Sequence, residues 1–186
     1  MQHFTLNGTS RKVGNKAVIK EFRSKGLVPC NLYGCGVENL LFTVDAKELK
    51  NLTDTPASYI VDLVIDGDKK FTILHELQWH PVSDICLHVD FLAVNEQKPI
   101  CINVPLEVSG HSVGVQKGGK FYQSAREIRI SALMANLPDK VTVDISALDL
   151  DKKIRAAEIK VDNATVVTDK DTIICGVKAT RNSAAA

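Results

Sequence analysis

The sequence has few aromatic residues and no long apolar run, and these absences exclude several classes of protein. Aromatic side chains make up 5% of its 186 residues. No apolar run approaches the roughly 18 residues that a membrane-spanning helix needs. The opening segment MQHFTLNGTS has neither the basic start nor the apolar core of a secretory signal. We therefore expect a cytoplasmic protein with no membrane partner.

The cysteines are irregularly spaced along the chain. The five cysteines are Cys30, Cys35, Cys86, Cys101 and Cys175. An odd number at scattered positions predicts reduced, buried thiols rather than a disulfide framework. Cys30 and Cys35 have no second ligand pair at the spacing of a zinc finger. We expect neither a metal nor another cofactor.

A near-neutral total charge conceals one basic segment. The chain carries 23 basic and 22 acidic residues. Residues 11–33, RKVGNKAVIKEFRSKGLVPCNLY, hold six of the basic residues and a single acid, Glu21. Such a distribution favours a local contact surface for an anionic partner over a general affinity for polyanions.

Signals for a helix lie within this basic segment. Asn15 can cap its N-terminus, and Gly26 followed by Pro29 can end it. At about 100° per residue, three cations fall on one line, which we term the basic stripe: Lys16, Lys20 and Arg23. A separate apolar stripe contains Val18, Ile19 and Phe22. We expect the apolar stripe to pack and the basic stripe to face outward.

The basic stripe could be only the solvated face of a helix, as most charged stripes are. Three features favour a contact surface instead. The stripe lacks acidic partners at i+4, Arg11 and Lys12 precede the helix, and Tyr33 follows it. Cations beside an aromatic ring are typical of surfaces that bind RNA, because phosphates attract the charges and bases stack.

Alternating segments predict strands through the first half of the chain. A first strand ends at residues 4–6 and is followed by the turn-like NGTS. A strand at 40–44 precedes a short helix that Asp45 caps and that ends near Thr53. Strand-like runs at 59–65 and from Phe71 onward are joined by the turn sequence DGDKK.

The segments FTILHELQWH and DICLHVDFLAV predict a hairpin closed by residues 81–84. Alternation gives it an apolar face made of Phe71, Ile73, Leu77, Trp79, Ile85, Leu87, Val89, Phe91 and Ala93. The opposite side, which we term the polar face, contains Gln78, His80, His88 and Asp90. It could be the wet side of an antiparallel sheet, or a surface that hydrogen-bonds base edges and 2′-hydroxyls.

The second half of the chain is predicted to be β-rich. The polar segment NEQKP after Val94 is a plausible linker. Beyond it, ICINVPLEVSG, AREIRISALM, VTVDISAL and TIICGVKAT are strand-like. We therefore expect a first domain at 1–95, a β-rich domain at 96–180 and a frayed tail at 181–186. The predicted fold class is mainly β with short helices.

Two catalytic motifs are matched only in part. GVQKGGKF, at 114–121, has the spacing of a phosphate-binding loop, but Phe121 replaces the hydroxyl ligand, so a flexible basic hairpin loop is expected. His75, Glu76 and His80 resemble a zinc-protease pattern whose second histidine comes one position late, on a strand. We predict no catalytic residue. A small hydrolase using His80, His88 and Asp90, or a protein-interaction module, is the alternative.

Five separated elements together resemble a known family. R-K-x-G, the basic helix, G-L-V-P-x-x-L-Y-G, Q-W-H-P and L-H-V-D-F closely resemble the bacterial large-subunit ribosomal protein L-twenty-five, and the length resembles its longer general-stress (CTC) form. The resemblance covers residues 4–94 and implies a small β-barrel with helices that binds 5S rRNA, then a second β domain. The RNA contacts it implies are Arg11, Lys16, Lys20, Arg23, Tyr33, Gln78, His80, His88 and Asp90. We add Lys12 to the predicted site as a further cation of the basic segment.

Overall fold

A computed structural model describes residues 2–55, 57–95 and 97–180. The chain divides into two compact units, Met1–Lys98 and Pro99–Ala186. Strands dominate both, which confirms the predicted mainly β fold class. No helix in the described ranges has the length and apolar content that crossing a bilayer requires. The predicted tail at 181–186 lies outside the described residues.

The first unit is a closed six-stranded β-barrel. Its strands are β1 (Gln2–Ser10), β2 (Leu27–Gly34), β3 (Val37–Asp45), β4 (Tyr59–Ile65), β5 (Asp68–Trp79) and β6 (Cys86–Ala93). Their order around the barrel is β1-β3-β2-β6-β5-β4. Two neighbouring pairs, β1 with β4 and β2 with β6, are parallel. Closure pairs the strands around a ring and so removes the exposed sheet edges, and it confirms the expected small barrel.

Alternate residues of these strands fill the barrel. The rings of Phe42 and Phe91 are fully buried with centroids 5.7 Å apart. The helix α2 (Ala46–Thr53) starts at Asp45, whose carboxylate accepts the backbone N–H of Lys47 as the sequence predicts. It packs Leu49 and Leu52 into the same core. Burial of each such side chain stabilises the folded state by about 1.5–3 kcal/mol relative to leaving it in water.

Two turn predictions have opposite outcomes. The turn between β4 and β5 is confirmed, because Asp66 and Gly67 both have positive φ, 51° and 98°, which suits the tight hairpin turn that matches strand twist. NGTS is not a turn, because residues 7–10 continue β1. A Cβ on Gly8 would come within 2.7 Å of the Phe42 ring. This glycine permits close packing on the aromatic core, rather than a reversal of the chain.

The second unit contains two small sheets. Its strands are β7 (Ile100–Ser109), β8 (Lys120–Gln123), β9 (Glu127–Ala132), β10 (Val141–Asp144), β11 (Lys153–Arg155), β12 (Ala164–Val166) and β13 (Ile173–Lys178). One sheet has the order β10-β7-β9-β12 and the other β11-β13-β8. The four predicted runs contain β7, β9, β10 and β13. The remaining three strands span three or four residues each and lie outside the four predicted runs.

Segment 114–121 is not the predicted hairpin loop. The helix α3 (Val113–Gln116) is capped by Ser112, and the strand β8 that follows lies in a different sheet from β7. Lys117 pairs with Asp149 at 2.8 Å. A phosphate-binding loop needs a helix after its lysine, and here a strand begins at Lys120. The structure therefore supports setting that motif aside.

The five cysteines are free, and three are buried as predicted. Burial raises the pKa of the thiols of Cys30, Cys86 and Cys175. Cys35 and Cys101 are exposed, contrary to the prediction. Cys35 lies between two glycines in the turn that joins β2 to β3. Among the described residues, no three His, Cys, Asp or Glu side chains are grouped to hold a metal ion.

Candidate nucleic-acid interface

The basic stripe lies on α1 (Lys16–Ser24), which begins and ends as predicted. Asn15 Oδ1 accepts the backbone N–H of Val18 at 3.2 Å. Gly26, with φ 77°, takes the chain out of the helix and into β2. The helix packs against β2. Its apolar stripe packs less fully than expected, because no residue of α1 is buried and Val18, Ile19 and Phe22 are only half-buried.

Three of the four lysines of this segment are available to an anion. Lys12, Lys16 and Lys20 are exposed, and none forms an ion pair within the described part of the chain. Glu21, the only acid of α1, pairs instead with Lys25 at 2.6 Å. That contact lowers the pKa of Glu21. The acid therefore neutralises a cation outside the basic stripe.

The two arginines of the predicted site are tied to backbone carbonyls. Arg23 donates from Nε and Nη2 to the carbonyl oxygen of Leu87, at 3.2 and 2.7 Å. Arg11 donates from Nε to the carbonyl of Phe42 at 3.3 Å. Because a guanidinium carries five N–H donors, each arginine keeps donors for a phosphate. The contact with Leu87 also holds the C-terminal end of α1 against β6.

Bulges in the β5–β6 hairpin change the apolar face that alternation predicts. One extra residue, His75, interrupts β5, and another, Leu87, interrupts β6. Each insertion reverses the faces beyond it. Thr72 and Leu74 therefore point inward before the first bulge, and the predicted core residue Phe71 is exposed.

The bulge at Leu87 reverses the faces at the turn end of β6, so that Ile85 points outward and Cys86 points into the core. Trp79 and Ile85 are 44% and 55% exposed, although alternation places them on the apolar face. Trp79 is the register partner of the inward-pointing Cys86 and the last residue of β5, so its exposure comes from the end of the strand and not from a change of face. The prediction holds farther along β6, where the inward-pointing residues are Val89, Phe91 and Ala93.

Register pairs assemble most of the polar face on the outside of the barrel. Gln78 lies opposite His88, and Glu76 lies opposite Asp90. On its other side, Asp90 is the register partner of Asn31 on β2. His88 Nδ1 is 3.3 Å from Asp90 Oδ1. Three strands thus present a continuous row of polar side chains.

His80 belongs to the turn and not to this row. Its Nδ1 accepts the backbone N–H groups of Val82 and Ser83, at 3.3 and 3.2 Å. Its own backbone N–H donates to the carbonyl of Ile85. Only Nε2 is left for another partner. The predicted turn at 81–84 is confirmed, but His80 lies at its base and not opposite His88.

Tyr33 lies on the same outer side of the barrel. Its hydroxyl is 3.2 Å from His75 Nδ1, and the two rings meet edge to face. Burial, followed by the charges of Asp90 and Glu76, raises the pKa of the Tyr33 phenol. The hydroxyl therefore stays protonated at neutral pH and can donate a hydrogen bond.

Sequence reasoning missed two participants in this surface. Asn31 could have been found, because the inward-pointing Val28, Cys30 and Leu32 require it to face outward beside Tyr33. The carbonyl of Leu87 could not have been found. This carbonyl accepts from Arg23 at the bulge in β6. The alternation of apolar and polar residues does not show where a bulge will occur.

Comparison with known proteins agrees with this architecture. Residues 6–91 match the Ribosomal L25p family, and residues 99–181 match the family described as Ribosomal protein TL5, C-terminal domain. The two matches fall within the first and second compact units respectively.

Several relatives are similar over nearly their whole length. "Large ribosomal subunit protein bL25" of Bacteroides fragilis is 40% identical over 186 residues, covering 97% of this chain and 94% of the relative. The protein of the same name from Porphyromonas gingivalis is 36% identical, with 97% and 95% covered. That from Parabacteroides distasonis is 32% identical, also with 97% and 95% covered. The chain therefore belongs to the ribosomal L25p family and carries a second domain of the TL5 C-terminal type.

Proposed function

We propose that this chain is a non-enzymatic structural component of the large ribosomal subunit and that its first unit binds 5S rRNA. The observation that carries the proposal is the contact between Arg23 and the carbonyl of Leu87. It places the exposed cations of α1 beside the strand that holds His88 and Asp90. Phosphate-binding and hydrogen-bonding groups thereby form one surface.

The two parts of this surface do different work. The exposed cations Lys12, Lys16 and Lys20 bind phosphates and set the position of the RNA without reading its sequence. The row on β5 and β6 includes two facing carboxylates, Glu76 and Asp90, which repel phosphate. That row therefore meets hydrogen-bond donors, either 2′-hydroxyls or exocyclic amines of bases.

The proposed contacts are those that the sequence predicts, with adjusted roles. Arg11 and Arg23 bind phosphate with the donors that their backbone contacts leave free. Tyr33 offers its protonated hydroxyl, and His80 contributes Nε2 from the hairpin turn. Gln78 and His88 flank Asp90 in the central row.

The two-domain division at 1–95 and 96–180 is part of the proposal, because every proposed contact precedes residue 95. The partner of the second domain stays open. The longer general-stress form also stays a prediction, since a match to the TL5 C-terminal domain carries no information about stress.

The substitution Asp90→Asn tests the proposal, because it removes a charge and keeps the shape. We expect it to weaken 5S rRNA binding by about 1–3 kcal/mol, the cost of leaving a polar group without its partner, and to leave binding to unrelated duplex RNA level or improved. The matched control is Asp84→Asn, which removes the same charge from the hairpin turn. Equal gains by both variants on both RNAs would show that charge alone governs binding.

A further inference from the structure

Two buried side-chain oxygens have no hydrogen-bond donor within the described residues, and they belong to neighbours. They are Asn31 Oδ1 and Asp90 Oδ1. The two residues are register partners in the parallel pair of β2 and β6, and both lie on the outer side of the barrel. A buried acceptor without a donor is costly, and two adjacent acceptors also repel each other. A shared explanation is therefore needed.

His88 does not supply the missing donor. Its Nδ1 lies 3.3 Å from Asp90 Oδ1, near enough for an ion pair when the ring is protonated. The two atoms are not aligned as a hydrogen bond, so Asp90 Oδ1 still lacks a donor. Solvent does not relieve either oxygen, because both atoms are buried. The register partner of Asp90, Asn31, is a neighbouring side chain that carries N–H donors.

We propose that Asn31 is a positioning residue whose side-chain amide donates an N–H to Asp90 Oδ1. The nitrogen and oxygen of a carboxamide occupy equivalent positions. A half-turn about the last side-chain bond of Asn31 therefore exchanges its Oδ1 and its NH2 group, and places an N–H where Asn31 Oδ1 stood. Asparagine and aspartate side chains are equal in length, and their backbones are paired. This bond gives Asp90 Oδ1 a donor and leaves Oδ2 for a donor on the RNA.

In this proposal Asn31 acts on recognition through Asp90, because its N–H is bonded to Asp90 Oδ1. The expected effect of Asn31 on RNA affinity rests on the proposed function, with 5S rRNA as the ligand. The bond between Asn31 and Asp90 can be tested by urea denaturation without RNA. The two ideas can therefore fail separately.

Exchange of the two side chains tests the bond in the full-length protein. Asn31→Asp sets two carboxylates side by side and should shift the urea midpoint downward. Asn31→Asp combined with Asp90→Asn restores one donor and one carboxylate in reversed positions, so the midpoint should recover most of the loss. Asn136→Asp, the same change at an exposed site of the second unit, is the control. A double variant no more stable than Asn31→Asp overturns the proposal.

Binding then tests the role in recognition. Asn31→Leu removes the donor without adding charge, and we expect about a tenfold weaker affinity for 5S rRNA, close to 1.4 kcal/mol. Affinity for unrelated duplex RNA should not change. Unchanged 5S rRNA affinity, or an equal loss on both RNAs, overturns the positioning role. A wild-type chain that does not bind 5S rRNA refutes the proposed function and leaves the urea result to decide the bond.

Discussion

The substitution Arg23→Lys separates an anchoring arginine from one that only binds phosphate. The guanidinium of Arg23 makes two hydrogen bonds to the carbonyl of Leu87, and lysine keeps the charge without the planar fork. Losing that exposed contact should lower the free energy of unfolding by about 0.5–1.5 kcal/mol. With α1 less firmly held against β6, the affinity for 5S rRNA should fall by roughly three- to tenfold.

Urea denaturation and filter binding at several salt concentrations measure both effects. The slope of log K against log salt should stay the same, because the number of cations is unchanged. Arg126→Lys is the matched control, since it makes the same change at an exposed residue of the second unit that is not a proposed RNA contact. It should change neither quantity. An Arg23→Lys protein with wild-type stability and wild-type affinity would refute the anchoring role of the Leu87 contact.

Three further predictions concern the first unit. Residues 1–98 alone should bind 5S rRNA within tenfold of the full chain by filter binding, and a larger loss would place part of the site in the second unit. Lys16→Ala and Lys20→Ala should each flatten the salt slope by about 0.7–0.9, whereas unchanged slopes would identify a merely solvated helix face. Burial acts to raise the pKa of Asp62, but hydrogen bonds from Lys69 and His3 hold this pKa below its usual value. The stabilisation by Asp62 is therefore complete above the unfolded pKa, near 3.8, and is lost as pH falls through the lowered value. Asp62→Asn should flatten the acid side of the stability curve, and an unchanged acid limb would contradict this.

Features that depend on neighbouring residues could be predicted from the sequence. Asn15 and Gly26 delimit α1, and Asp66 with Gly67 forms a turn, because capping and positive φ are properties of a few adjacent residues. The grouping of Gln78, His88 and Asp90 could also be predicted, since one turn at 81–84 sets the hairpin.

Features that depend on distant residues could not be predicted. The bulges at His75 and Leu87 depend on how β5 and β6 pair, and so the exposure of Phe71 and Ile85 was missed. The turn-like NGTS became strand because Gly8 packs on Phe42. His80 was assigned to the polar face because strand alternation does not reveal that its Nδ1 accepts hydrogen bonds from the turn.

The parallel pairing of β2 with β6 makes the surface a product of completed folding. Asn31 and Asp90 lie far apart in the chain and become neighbours only when the barrel closes. Non-local pairings of this kind form late and slowly compared with helices. A peptide spanning residues 11–33 would carry the cations without the carboxylate row, and so would bind RNA with little discrimination. Selective affinity for one RNA is therefore expected only of the closed barrel.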